Sequence, residues 1–271
     1  MTMTEQEFCL DNNMPKISVV IAVKNGEDLI EEAIQSIQLQ DYKNYELIII
    51  DGNSTDRTLS IVQSFGSFVD HVESKADAGL YHAMNDGIRR ATGDLISVIG
   101  CDDRFNKDSF QLVASQYDQT ALQVIYGDME YTDRHKDHSL LVVETKEFPK
   151  TMIPHPTCFF SRNILLNVGS FDTSYVIAAD LDFMIRAINA GALLSRIDST
   201  IIYSTSNGFS AQNKGKYISI REELAIRLKY GIGNPLYNLV RYIFYLIGIT
   251  SILFAKRVNS SLQKLFSTQD S

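Results

Sequence analysis

For the first hundred residues, the hydrophobic positions of this chain alternate between two rhythms. Short apolar runs rich in β-branched residues occupy 16–23, 45–50, 68–72 and 95–99, the pattern of strands buried on both faces. Between them the apolar residues return every three or four positions. Leu29, Ile30, Ala33, Ile34 and Ile37 line one side of a helix predicted over 27–40, leaving Glu31, Glu32, Gln35 and Gln38 for solvent. A second helix begins near Arg57, with Ser54 or Thr55 as its cap, and a third runs over 80–91 to a stop at Thr92-Gly93. Four strands alternating with helices predict an α/β fold with a doubly wound, mostly parallel sheet and right-handed crossovers.

After Asp103 the rhythm loosens. The pattern predicts a helix over 108–117, a strand over 122–126, and a hairpin of 129–131 with 140–144 around the polar tip 133–138. Residues 148–156 hold three of the five prolines and read as an irregular loop. Residues 157–160 return to the core, and a loop over 171–179 leads to a helix with Asp180 and Asp182 in its first turn, where the helix dipole favours acids. Asp182 and Arg186 stand at i,i+4, the spacing of a structural ion pair.

The end of the chain differs in character. Residues 216–230 read as a basic amphipathic helix, and 236–255 are apolar apart from polar breaks such as Asn238 and Arg241, closing on Lys256-Arg257. That stretch has roughly the length needed to span a bilayer, but its early polar residues favour a helix lying in the interface. Packing on the domain or on a second copy of the chain is the alternative.

Composition sharpens this asymmetry. The 271 residues are 45% hydrophobic and 21% charged, ordinary for a globular protein, and the net charge of −8 argues against a nucleic-acid partner. From Ile201 onward nine Lys or Arg face three acids, so an acidic body carries a basic, apolar tail suited to a membrane surface. Cys9, Cys101 and Cys158 have no metal-ligand spacing and are odd in number, which fits a reducing, cytoplasmic compartment. The acidic N-terminal residues do not make a secretory signal. The expected organisation is a tail over 1–15, an α/β domain over 16–212 and a helical extension over 213–271, associated with the inner face of a membrane or homo-oligomerising.

Candidate chemistry collects at the strand ends. Open α/β sheets bind ligands at the carboxyl ends of their strands, and there this chain places Lys24-Asn25-Gly26, Asp51-Gly52-Asn53-Ser54-Thr55-Asp56 and Gly100-Cys101-Asp102-Asp103. Asp102 and Asp103 repel each other unless a cation or a donor-rich ligand lies between them. A hard divalent ion shared with phosphate oxygens meets that need. A solvated turn is the plainer reading of each motif taken alone.

Taken jointly, these motifs with Asp77-Ala78-Gly79-Leu80-Tyr81-His82-Ala83-Met84-Asn85-Asp86-Gly87, Ala91-Thr92-Gly93-Asp94 and Ala179-Asp180-Leu181-Asp182 resemble family 2 glycosyltransferases of the GT-A fold, in the bacterial polysaccharide and glycolipid branch. The resemblance covers residues 16–208. It implies a nucleotide-diphosphate sugar donor, UDP-linked by preference, a glycan or lipid-linked acceptor, and Mg²⁺ or Mn²⁺. Asp51 would accept from the base, Asp77 and Asn85 would border the nucleotide, Asp102 would meet the ribose or diphosphate, and Asp103 would bind the metal. Asp180 would act as general base of an inverting transfer, and His155 is a candidate contact to phosphate or acceptor. Where many relatives carry further acids, this chain has Gly52, Gly100 and Ala179. Those departures keep a second reading open, a non-catalytic nucleotide-sugar-binding or membrane-docking subunit.

Overall fold

The computed structural model describes residues 14–76, 78–132, 139–149, 151–205 and 213–234, together with 236, 239, 240 and 243. Its first part follows the expected alternation: β1 (Ile17–Val23), α1 (Ile30–Gln38), β2 (Tyr45–Asp51), α2 (Thr58–Ser64), β3 (His71–Ser74), α3 (Leu80–Arg90) and β4 (Leu95–Ile99). These four strands pair in parallel in the order β3-β2-β1-β4. Every residue of β1 is buried, because the sheet is covered on both sides. Ile17, Val19, Ile21 and Val23 pack with α1 and α2 on one face, and Val20 and Ala22 pack with α3 on the other. Strand alternation alone distributes one apolar run between two cores.

The remaining elements are β5 (Asp103–Phe105), α4 (Ser109–Ser115), β6 (Gln123–Tyr131), β7 (Ser139–Leu141), β8 (Phe159–Ser161), α5 (Arg162–Val168), α6 (Ala179–Asn189), β9 (Leu193–Ser204) and α7 (Asn213–Lys229). They extend the sheet as β4-β8-β6-β9-β5, with β7 on the side of β6. β8 runs antiparallel to both β4 and β6, β9 runs parallel to β6, and β5 runs antiparallel to β9. The sheet is therefore mixed but mostly parallel, and it curls. Although β5 follows β4 after only three residues, it pairs with β9 at the far border.

Several boundaries differ from the sequence pattern for identifiable reasons. The third strand starts later than expected, because a 3₁₀ turn over Gly66–Phe68 comes first and Asp70 bonds Leu47 through both its amide and its carboxylate. Neither Ser54 nor Thr55 caps α2. Arg57 stands at the cap position without a side-chain cap bond; just before it Asp56 Oδ1 accepts the Thr58 backbone amide at 3.0 Å, while the Ser54 hydroxyl accepts from the Asn25 backbone amide at 2.8 Å. The runs 122–126 and 129–131 form one strand, β6, broken in register on either side of Asp128. The hairpin with β7 forms, and its tip 133–138 lies outside the described residues.

The helix expected over 216–230 is α7. It packs on α6 through Ile226, which is fully buried against Ala178, Leu181 and Ile185. Among the described residues no helix is long and apolar enough to cross a membrane. Most of the apolar stretch 236–255 lies outside the described residues.

Candidate active site

The loops that follow β1, β2 and β4 meet at one rim. Asp51 is the last residue of β2, in register with Val23 of β1, and is fully buried. Its carboxylate accepts the Ser54 amide at 3.1 Å, the Ser54 hydroxyl, and the Ser74 hydroxyl at 2.5 Å. Ser54 in turn accepts from the Asn25 amide, and Asn25 Oδ1 accepts the Thr55 amide at 2.9 Å. Asn25 and Asn53 both adopt positive φ, 52° and 58°, a conformation asparagine tolerates better than most residues. At Gly26 a Cβ would lie 2.7 Å from Val23 Cγ2 and 2.8 Å from Cys101 Sγ, so the first and fourth loops touch there with no room for a side chain.

The acidic pair sits at the crossing from β4 to β5. Asp103 is 3% exposed, its Oδ2 accepts the Gly100 amide at 2.8 Å, and its Cα faces Ser204 across the β5–β9 pair. Asp102 is partly exposed beside it. Burial raises the proton affinity of both carboxyls, and for Asp103 the neighbouring Asp102 charge adds to it. Burial and the same two charges push the Cys101 thiol up to about 12, so it stays protonated and unreactive. A Cβ at Gly100 would lie 2.5 Å from Asp102 Oδ1, so an acid at that position would displace the carboxylate that is present.

This pair fits a divalent cation. Magnesium sites in phosphate-handling proteins commonly use one or two carboxylates plus phosphate oxygens and water, and a buried carboxylate, Asp103, beside a partly exposed one, Asp102, could supply that part of the shell. No cluster of three or more His, Cys, Asp or Glu able to hold a metal occurs among the described residues. A cation held by Asp102 and Asp103 would take its remaining ligands from elsewhere, such as water or a bound phosphate.

Asp180 lies in the first turn of α6 and is partly exposed. Its Oδ1 accepts the Leu181 amide at 2.9 Å and lies 3.4 Å from the Tyr81 hydroxyl, which also donates to the Ile177 carbonyl. Its Oδ2 takes no hydrogen bond from the described residues. Burial, opposed by those donors, raises the carboxyl to about 6. Tyr81 stands in the first turn of α3, so Asp180 is joined to the sheet through the helix that follows β3.

The other candidates have different surroundings. Asp77 lies outside the described residues. Asn85 is buried and both ends of its amide are engaged by Phe171, donating to the carbonyl at 2.8 Å and accepting the N–H at 3.0 Å. It braces the loop that leads to α6. His155 is wedged between Phe160 and Phe171 with its Nε2 buried and without a partner, and burial holds its pKa at about 4. At neutral pH it has no positive charge to offer a phosphate. The expected Asp182–Arg186 pair forms at 2.7 Å, and Lys229 and Tyr230 at the end of α7 join it, each donating to Asp182 Oδ1 at 2.9 Å.

Sequence reasoning missed Tyr81, Ser74 and Glu222 as parts of this site. Tyr81 was visible as a member of the 77–87 motif with no role of its own, and Glu222 as one acid in a basic helix.

The family model described as Glycosyl transferase family 2 matches residues 18–179, ending one residue before Asp180. A PGL/p-HBAD biosynthesis glycosyltransferase of Mycobacterium bovis is 27% identical over 221 residues, covering 79% of this chain and 86% of that protein. An uncharacterized glycosyltransferase of Rickettsia typhi is 29% identical over 66% of this chain and 60% of its own. Among solved structures, S. aureus TarS 1–349 in complex with UDP superposes with a TM-score of 0.62 at 20% identity, over 87% of this chain and 73% of that one. The chain spans 43% of the longer TarS structure. A mannosyltransferase of Pyrobaculum calidifontis in complex with GDP-Man and Mn²⁺ gives 0.63 at 16% identity, over 94% of this chain and 81% of that one.

Proposed function

Because the chain belongs to glycosyl transferase family 2, we propose that it moves a sugar from a nucleotide-diphosphate donor to a hydroxyl of a glycan or lipid-linked acceptor, with inversion at the anomeric carbon. The observation that carries this reading is Asp180, a carboxyl raised to about 6 with one oxygen open. A general base works best when its proton affinity lies near the working pH, and a half-buried carboxylate in this range is ionised at pH 7 yet basic enough to accept a proton late in the reaction.

The acceptor O–H gives its proton to Asp180, and its oxygen bonds to the anomeric carbon from the face opposite the diphosphate. The bond from that carbon to the phosphate oxygen breaks, and the nucleoside diphosphate leaves with the electron pair. Mg²⁺ or Mn²⁺ held by Asp103 and Asp102 together with the donor's phosphates would neutralise the charge that gathers on the leaving group. Asp51 keeps the loop after β2 in shape beside the nucleotide, and the Asn25–Ser54–Asp51 chain of bonds fixes the floor on which the base and ribose rest. TarS with UDP or UDP-GlcNAc and the archaeal mannosyltransferase with GDP-Man are compatible with a donor of this class, and a UDP-sugar is favoured.

Asp180→Asn tests the reaction. Transfer from a panel of UDP- and GDP-sugars with Mn²⁺ should fall by roughly a thousandfold or more, with nucleotide affinity retained. Undiminished transfer would place the base elsewhere. For the wild type, kcat should lose activity as pH drops through about 6, as a base that must be ionised requires.

The acceptor side of the proposal includes a cytoplasmic protein held at the inner membrane face. Leu236, Leu239 and Ile243, spaced i, i+3, i+7, are all exposed, and basic residues flank them. Flotation with anionic liposomes should retain the full chain and lose a chain ending at residue 234. Equal flotation of the two would remove the membrane role.

A further inference from the structure

Glu222 lies on α7, beyond the stretch that the family model matches, and is 5% exposed. Its carboxylate accepts three consecutive backbone N–H groups ahead of α6: Oε1 from Val176 at 2.9 Å, and Oε2 from Ile177 at 2.9 Å and Ala178 at 3.0 Å. The Ile177 peptide is gripped from its other end as well, since its carbonyl accepts the Tyr81 hydroxyl from α3. Three residues further along the chain stands Asp180. The same two helices are fastened again one turn on, where Lys229 and Tyr230 donate to Asp182.

We propose that Glu222 is a positioning residue for sugar transfer: by fixing the turn 176–178 it sets the direction in which Asp180 presents its open oxygen to the acceptor. The proposal rests on Asp180 being the base. A carboxylate suits the task because it offers acceptor sites only, enough for three donors at once, and its negative charge complements the amino end of α6. That charge also acts on Asp180. The groups facing Asp180 are Tyr81 from α3, Cys158 ahead of β8, Glu222 from α7 and, on its own helix, Asp182, which is paired with Arg186 and Lys229. Among these, Glu222 raises the proton affinity of Asp180 electrostatically, and Tyr81 lowers it by hydrogen bonding.

Glu222→Gln and Glu222→Ala in the full-length chain test this, with Asp180→Asn beside them. Glu222→Ala should lower kcat by roughly ten- to a hundredfold at unchanged donor KM, because the turn loosens while the nucleotide loops stay in place. Glu222→Gln should lower kcat less and move the acid limb of its pH profile to lower pH, a change that mere loss of folded protein does not produce. If the Ala variant fails to fold, the Gln variant decides. An inactive Asp180→Asn together with a Glu222→Gln enzyme of wild-type kcat and wild-type acid limb would overturn the positioning role alone. An active Asp180→Asn would overturn this role and the proposed base together.

Discussion

On the side of the rim proposed to take the donor, loops project from strands that are paired in register, and the polar groups of those loops bond one another: Asn25 to Ser54, Ser54 to Asp51, Thr58 to Asp56. Around α6, on the side proposed to take the acceptor, no parallel ladder among the described residues does this work. There the turn before the helix hangs from the Glu222 carboxylate, and Asp182 collects Arg186, Lys229 and Tyr230 into one cluster. The first side is rigid because a sheet is rigid. The second depends on one buried carboxylate, Glu222, and two donors, Lys229 and Tyr230, all brought in from later in the chain, so on the proposed reading single substitutions there should alter catalysis while donor binding stays intact.

The largest effect expected on the donor side comes from Asp103→Asn. Transfer should fall by roughly a hundred- to a thousandfold and lose its response to added Mn²⁺. The same change should raise the melting temperature measured without divalent ions. Burial and Asp102 raise the Asp103 carboxyl above its unfolded value, so the charged form weakens the fold at neutral pH and stability grows as pH falls through the raised value. A melting temperature that drops would mean the carboxylates are held by partners rather than strained against each other.

Next in size is Glu46→Gln, at the opposite end of β2. Burial would raise this carboxyl, but the Lys16 ammonium, the Ser18 hydroxyl and the amide and hydroxyl of Thr92 outweigh it and hold it at about 2. A lowered carboxyl contributes stability that is present above its unfolded value near 4.5 and is lost as pH falls towards 2. The variant should lose about 2 kcal/mol at pH 7 and show a shallower acid limb in urea unfolding curves. Lys229→Met, which loosens the clasp between α7 and α6, should cost about 1 kcal/mol and lower kcat more than donor affinity. Equal losses in both would erase the contrast between the two sides.

The smallest effect belongs to His155→Phe. At pH 7.5 its melting temperature should match the wild type within a degree or two. At pH 5 the variant should be the more stable, because the buried imidazole titrates at about 4 and the unfolded chain takes up the proton nearer 6.5. A drop in activity at neutral pH with unchanged stability would instead mark His155 as a substrate contact.

How legible all this was in the sequence follows the same division. The strands β1, β2 and β4 announce themselves because strands buried on both faces are mostly apolar, and the acids that follow them stand out against that background. Strand β9 does not, since Arg196 and Asp198 interrupt it. Its arginine is neutralised by Asp128, 68 residues earlier on the neighbouring strand, at 2.8 Å. Strand β5 is three residues long and exists because β9 is there to pair with it. Asp180 was visible as an unpaired acid in a first turn, whereas Glu222 sits in a helix that reads as basic, and only the packing of α7 on α6 gives it the amides of the turn before α6 to hold.

Asp103 belongs to two neighbourhoods at once. Its carboxylate caps the turn that closes the first hundred residues, and its backbone begins the edge that borders β9. Whatever grips the acidic pair therefore acts at once on the end of an interior strand, β4, and on the border strand β5 with its neighbour β9. Arrival of a donor with its cation should be felt as slowed amide exchange at Tyr203 and Ser204, on the strand that pairs with Asp103 across the β5–β9 ladder.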